Sequence, residues 1–208
     1  MFTGLIRELA KVQSLNGSTL SISSNYTPKI GDSIAINGAC LTVIHTSSDI
    51  FSVELSPESQ KVLAMENYQN AVHMEPAMMM GDRFEGHIVQ GHVDCIGQIT
   101  SINQSGNSTD FFITIPSEYI KFVIPKGSIT VDGVSLTVND VDKKKSQFRL
   151  TIIPHTIKNT LFKEYKLNSK VNIETDMFAR YVYNMFSSIK DDDDKLSWSD
   201  VDKVMARY

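Results

Sequence analysis

Apolar and polar residues alternate in short runs through the first part of the chain. The segments around 8–15, 18–24, 33–37, 40–45 and 50–55 are rich in Val, Ile, Thr, Ser and Phe with a period close to two, the pattern of strands that bury one face. Asn16-Gly17 and Asn37-Gly38 punctuate them, pairs that readily take positive φ in tight hairpins. Several short strands at this spacing predict a small antiparallel barrel, closed so that no long edge is left unpaired. The stretches Glu58–Tyr68 and His155–Tyr165 read as short helices or turns. Residues Met177–Ile189 differ: apolar positions recur at three and four, and Asp176 can cap the first turn, which predicts an amphipathic helix.

The strand pattern occurs twice. Ser33-Ile34-Ala35-Ile36-Asn37-Gly38-Ala39-Cys40-Leu41-Thr42-Val43 aligns with Ser128-Ile129-Thr130-Val131-Asp132-Gly133-Val134-Ser135-Leu136-Thr137-Val138 at an offset of 95. Three further blocks keep the order: Ala10–Leu15 with Gly97–Ile102 at 87, Leu55–Ser59 with Ile152–Thr156 at 97, and Val72–Glu75 with Val171–Glu174 at 99. Offsets that drift in one direction are what loop insertions leave between two copies of one fold. The boundary falls near residues 85–90, giving domains over 1–87 and 88–188, with an acidic linker and short helical tail over 190–208. The helix at about 176–189 has no counterpart after the first copy, so its apolar face is expected to pack on other subunits.

The composition excludes more than it identifies. The 208 residues are 41% hydrophobic and 21% charged, with no run long enough to span a membrane. The start of the chain lacks the basic and apolar regions of a signal peptide, and two cysteines are too few for a disulfide scaffold; a cytoplasmic location is the expectation. Of the net charge of −4, residues 190–208 carry −2 and residues 1–189 carry −2, and no basic stripe exists to neutralise a run of phosphates, so no nucleic-acid partner is expected. Lys143-Lys144-Lys145, beside Asp140 and Asp142, reads as a solvated turn. Asp191–Lys195 is similar to an enterokinase cleavage site, but no purification tag adjoins it and a plausible helix follows over Trp198–Arg207; a native acidic linker is the preferred reading.

The candidate chemistry is polar and duplicated. His87 and His92 lie five residues apart, on opposite faces of an extended segment and among glycines that argue against a helix, so no metal site is expected. Cys40 and Ser135 occupy matched positions, each two residues before a threonine. Strand alternation puts Ser33, Cys40 and Thr42 on one face, and Ser128 or Thr130, Ser135 and Thr137 on the matching one. Such a face is either plain solvent-facing strand or a pocket. Its retention in both copies, beside an Asn/Asp-Gly turn and a Pro-x-Ser/Thr segment, favours two copies of one small-molecule pocket. Hydroxyls and amides suit a neutral, hydrogen-bond-rich heterocycle.

These residues carry a resemblance. Met1-Phe2-Thr3-Gly4-Leu5-Ile6, Asn37–Val43, Gly86-His87-Ile88-Val89-Gln90-Gly91-His92-Val93-Asp94, Lys126-Gly127, Asp132–Val138 and Ile153-Pro154-His155-Thr156 resemble the riboflavin synthase family (α-chain type), in order, from residue 1 to about 187. The resemblance implies an all-β fold of two tandem six-stranded antiparallel Greek-key barrels plus a C-terminal α-helix that joins a homotrimer. It implies a transferase that dismutates two molecules of 6,7-dimethyl-8-ribityllumazine into riboflavin and 5-amino-6-(ribitylamino)uracil, with no metal or redox cofactor. Each site would hold two lumazines, where the first barrel of one subunit faces the second barrel of the next.

Carried over by position, the first-barrel pocket would use Gly4, Leu5 and Ile6 with Ser33, Cys40, Leu41, Thr42, Glu58 and Ser59. The second would use Lys126, Asp132, Ser135, Leu136, Thr137, Ile153, Pro154, His155, Thr156, Ile157 and Lys158, with Gly91, His92 and Val93 lining a loop. Catalytic roles would fall to Cys40, His92, Ser135 and Asp132, with His92 or water taking a proton from the C7 methyl of one lumazine. The first copy departs from the family pattern at Gln60 and Leu63, and Pro76 and Glu85 stand where Arg and Gly are common. A non-catalytic lumazine- or flavin-binding protein of the optical-antenna kind is the alternative. Such proteins lose much of the Gly-His and Ser-Leu-Thr patterns that stand here.

Overall fold

A computed structural model describes residues 1–191. Six strands, β1 (Glu8–Asn16), β2 (Thr19–Ser23), β3 (Ser33–Ile36), β4 (Ala39–Thr46), β5 (Ile50–Glu54) and β6 (Ala71–Pro76), close into an antiparallel barrel in the order β1-β2-β5-β4-β3-β6. The second barrel comprises β7 (Cys95–Ser105), β8 (Ser108–Thr114), β9 (Ser128–Val131), β10 (Val134–Asp142), β11 (Gln147–Ile152) and β12 (Lys170–Thr175), in the equivalent order. Helix α1 (Pro57–Val62) follows β5, α2 (Pro154–Asn159) follows β11, and each leads into a single 3₁₀ turn. Helix α3 (Met177–Asp191) follows β12, two residues longer than the pattern predicts; the rest of the expected tail lies outside the described residues.

The two copies agree down to their irregularities. The β1–β2 ladder shifts register between Val12 and Ser14, and β7–β8 between Ile99 and Ser101. The β4–β5 ladder shifts between Val43 and His45, and β10–β11 between Val138 and Asp140. Bulges bend a strand sharply, and a six-stranded sheet needs such bends to close on itself. Inward residues fill each interior: Leu20, Ile22, Ile34, Val43, Phe51 and Val72 in the first barrel, Ile99, Phe111, Ile113, Val138, Phe148 and Val171 in the second. Each contributes about 1.5–3 kcal/mol by leaving water. The Lys143–Lys145 triplet is exposed in the turn after β10, as predicted.

The barrels meet at their matched hairpin turns. Asn37 and Asp132 both have φ 45°, and Gly38 and Gly133 both 82°. A Cβ on Gly38 would lie 2.7 Å from the Gly133 nitrogen, and one on Gly133 2.8 Å from the Gly38 nitrogen. Only glycine allows both the conformation and the approach. The first hairpin differs slightly from expectation: Asn16 ends β1, and of the pair only Gly17 takes positive φ.

Buried polar groups complete this seam reciprocally. Nε2 of His73 accepts a hydrogen bond from the Leu161 amide of the second barrel at 2.8 Å, so Nδ1 carries the proton donated to the Asp132 carbonyl, also 2.8 Å away. The equivalent residue, Asn172, accepts from the Ala64 amide and donates to the Asn37 carbonyl, both at 2.8 Å. Burial pushes His73 down to about 4, which keeps the imidazole neutral.

Candidate active site

The site is built from the hairpins that carry the matched Cys and Ser. In β3–β4, Ser33 pairs with Thr42 and Ala35 with Cys40; in β9–β10, Ser128 pairs with Thr137 and Thr130 with Ser135. The polar side chains therefore share one face, as alternation predicts. Leu41 and Leu136 point the other way, Leu41 into the first core and Leu136 against the second. Their side chains belong to the barrels, which leaves only their backbone to the polar face.

Each face is bridged by an extended segment from the opposite end of a chain half. Residues 1–6 cross to the second barrel: the Ser135 amide donates to the Gly4 carbonyl at 2.8 Å, and Ile6 packs against the second core. Residues 86–93 cross to the first: the Cys40 amide donates to the Gly91 carbonyl at 2.8 Å, and Val93 packs against the first core. Phe2 and Val89 pair in an isolated antiparallel bridge where the segments pass. Gly4, Leu5 and Ile6 thus belong with Ser135, and Gly91, His92 and Val93 with Cys40. The expected assignment is reversed. The cause is that each bridging segment precedes its own barrel and crosses the seam before entering it.

Two glutamates hold the bridges. Oε1 of Glu75 accepts from the Thr3 amide and hydroxyl at 2.8 and 2.9 Å, and Oε2 from the Gly4 amide at 3.0 Å. Glu174 accepts from the Gln90 and Gly91 amides at 2.7 and 2.9 Å. Burial raises both carboxyls, Glu174 to about 7. Sequence reasoning found these glutamates only as the ends of a repeat block; their identity in both copies was the available signal.

The second site holds a pair that the first lacks among the described residues. Nδ1 of His87 lies 2.7 Å from Oγ of Ser135, half-buried, and burial lowers the imidazole so that it stays a neutral base. His92, by contrast, is exposed beside the Cys40 site. The sequence reading singled out His87 only to exclude a metal; the five-residue separation on opposite faces is what delivers one histidine to each site.

Asp132 does not face either site. It is fully buried in the seam, Oδ1 accepting from the Asn172 amide at 2.7 Å and Oδ2 from the Tyr165 hydroxyl at 2.5 Å, and burial raises it to about 7. A carboxylate with both oxygens engaged away from solvent cannot serve as the expected catalytic group. Its turn position, which sequence reading grouped with Ser135, is held there by the positive φ of the hairpin.

The remaining expected residues line the periphery. Ile6 shares a cavity of about 470 Å³ with His155 and Lys158. Ile157 packs on the second core, Thr156 is half-buried, and Ile153, Pro154 and Lys126 are exposed near the start of α2 or before β9. At the first site Glu58 is exposed, while the Ser59 amide and hydroxyl bond Ser56 at the start of α1.

Comparison with known proteins places this arrangement. The lumazine binding domain matches residues 3–77 and again 90–176. The chain is 41% identical over 203 residues to a riboflavin synthase of Photobacterium phosphoreum, covering 93% of this chain and 92% of that one. It is 38% identical to a riboflavin synthase of Bacillus subtilis, over 88% of each chain. The crystal structure of LumP complexed with riboflavin superposes with a TM-score of 0.72 over 84% of this chain and 99% of that one; at 19% identity this shows the fold alone.

Proposed function

The chain belongs to the lumazine-binding family of riboflavin synthases, a family of transferases in riboflavin biosynthesis, and from that premise we propose that it dismutates 6,7-dimethyl-8-ribityllumazine. One lumazine gives up a four-carbon unit to a second, yielding riboflavin and 5-amino-6-(ribitylamino)uracil. Carbon and electrons balance between two copies of one substrate, so the reaction itself calls for no redox cofactor. The observation that carries the reading is the doubled site: two hydroxyl- or thiol-bearing hairpins, each roofed by a glycine bridge that a buried glutamate holds.

Each barrel takes one lumazine against its hairpin face, Ser33, Cys40 and Thr42 in one and Ser135 and Thr137 in the other. The first barrel of one subunit faces the second barrel of its neighbour in a homotrimer, which α3 joins through exposed Phe178, Tyr181, Val182, Met185 and Phe186. Bringing the two rings together in a fixed orientation supplies much of the acceleration. The geometry supports His87 and Ser135 as the pair that moves the proton of the C7 methyl, because the imidazole is a neutral base in contact with a hydroxyl. The resulting carbanion attacks the partner ring. Incubating the purified protein with the lumazine alone tests the reading. Riboflavin absorbance should grow; a fluorescence change on binding with no riboflavin would instead mark a flavin-binding protein.

A further inference from the structure

The bridge over Cys40 has an anchor that the bridge over Ser135 does not share. Arg180, in the first turn of α3, donates from one guanidinium nitrogen to Oδ1 of Asp94 and from the other to Oε1 of Gln90 at 2.8 Å. Oδ2 of Asp94 accepts from the Thr175 amide and hydroxyl at 2.7 and 2.6 Å, which ties the same carboxylate to the end of β12. Gln90 and Asp94 bracket Gly91-His92-Val93, the residues that lie against Cys40. At the second site the corresponding bracket residues are Thr3 and Arg7, and Arg7 is exposed.

We propose that Arg180 is a positioning residue for the first-barrel site, fixing both ends of the Gly91–Val93 bridge so that the seating of α3 governs lumazine binding at Cys40. The inference rests on the function proposed above. Its guanidinium bonds the side chains of Gln90 and Asp94, so it acts through the bridge that these residues bracket. A guanidinium bonded to a carboxylate and an amide has a geometry that a flexible ammonium reproduces only in part.

The test compares wild type, Arg180→Met, Arg180→Lys and Gln90→Met as full chains. Lumazine fluorescence titration counts sites and affinities, steady-state kinetics separates KM from kcat, and sedimentation reports assembly. Arg180→Met should weaken one class of site about tenfold and leave the other unchanged. KM should rise more than kcat falls, at wild-type sedimentation, and Arg180→Lys should recover part of the loss. Gln90→Met, which leaves the Arg180–Asp94 pair intact, should shift the same site less, and it carries the test if Arg180→Met does not fold. Unaltered binding in the folded variants, or losses that track dissociation into single chains, would overturn the positioning role while leaving wild-type conversion intact. Wild type that neither binds nor converts lumazine would sink the proposed function together with this inference.

Discussion

At the residue scale the two hairpin sites are near copies that differ in a thiol against a hydroxyl and in the imidazole of His87. Oγ of Ser135 lies 2.7 Å from the His87 imidazole, a contact Cys40 lacks among the described residues. His87→Ala is therefore expected to lower turnover by about a hundredfold or more with little change in KM, whereas Cys40→Ser should retain most activity, a hydroxyl being what the matched position already uses. Steady-state rates on lumazine decide both; wild-type turnover in His87→Ala would remove the imidazole from the mechanism. The matched Cys and Ser were legible from the repeat alone. The His87–Ser135 contact was not, because it joins the irregular segment before β7 to the β9–β10 hairpin, which a strand-by-strand reading does not pair. Asp132 misled for a different reason: it sits three residues before Ser135, but the intervening turn sends its carboxylate to Tyr165 and Asn172 of its own barrel.

At the element scale the bridges do what helices or long loops do in other pockets. Gly4 and Gly91 have φ of 78° and 80°, and a Cβ on either would lie 2.6 Å from the Cβ of Ser135 or Cys40. Gly91→Ala should lower stability by about 1–3 kcal/mol and abolish lumazine binding in the first barrel alone, with Gly4→Ala doing the same in the second. Denaturant midpoints and binding stoichiometry measure the two effects. The strands themselves were legible from period-two alternation and the positive-φ pairs. The bridges were not, since short irregular segments carry no periodicity; only the glycines hinted at close approach.

For the whole molecule, the buried polar groups of the seam give stability a pH dependence. His73 titrates near 4 in the folded protein against 6.5 unfolded. The unfolded chain therefore binds more protons between those values, and stability held above pH 6.5 is lost as pH falls toward 4. Asp132 works in the opposite sense: raised from 3.8 to about 7, it contributes stability at low pH that is lost as pH rises through that window. His73→Asn, which installs the group that Asn172 already provides in the other copy, removes the first effect and keeps the second. The gap in denaturant midpoint between wild type and variant should move toward the variant between pH 7.5 and 5; a constant gap would mean that His73 is not held neutral. Duplication was written in the offsets, but reciprocity across the seam was not, because a repeat states what is copied and not how the copies meet. A chain truncated before Asp176 should sediment as single copies if α3 joins the trimer, and a preserved trimer would place that contact elsewhere.

The central claim is that two lumazines react with each other on this protein. It is tested most directly by product stoichiometry with purified protein and 6,7-dimethyl-8-ribityllumazine as the sole reactant. The account predicts riboflavin and 5-amino-6-(ribitylamino)uracil in equal amounts, each half of the lumazine consumed. Lumazine that binds tightly and stays unchanged would contradict it.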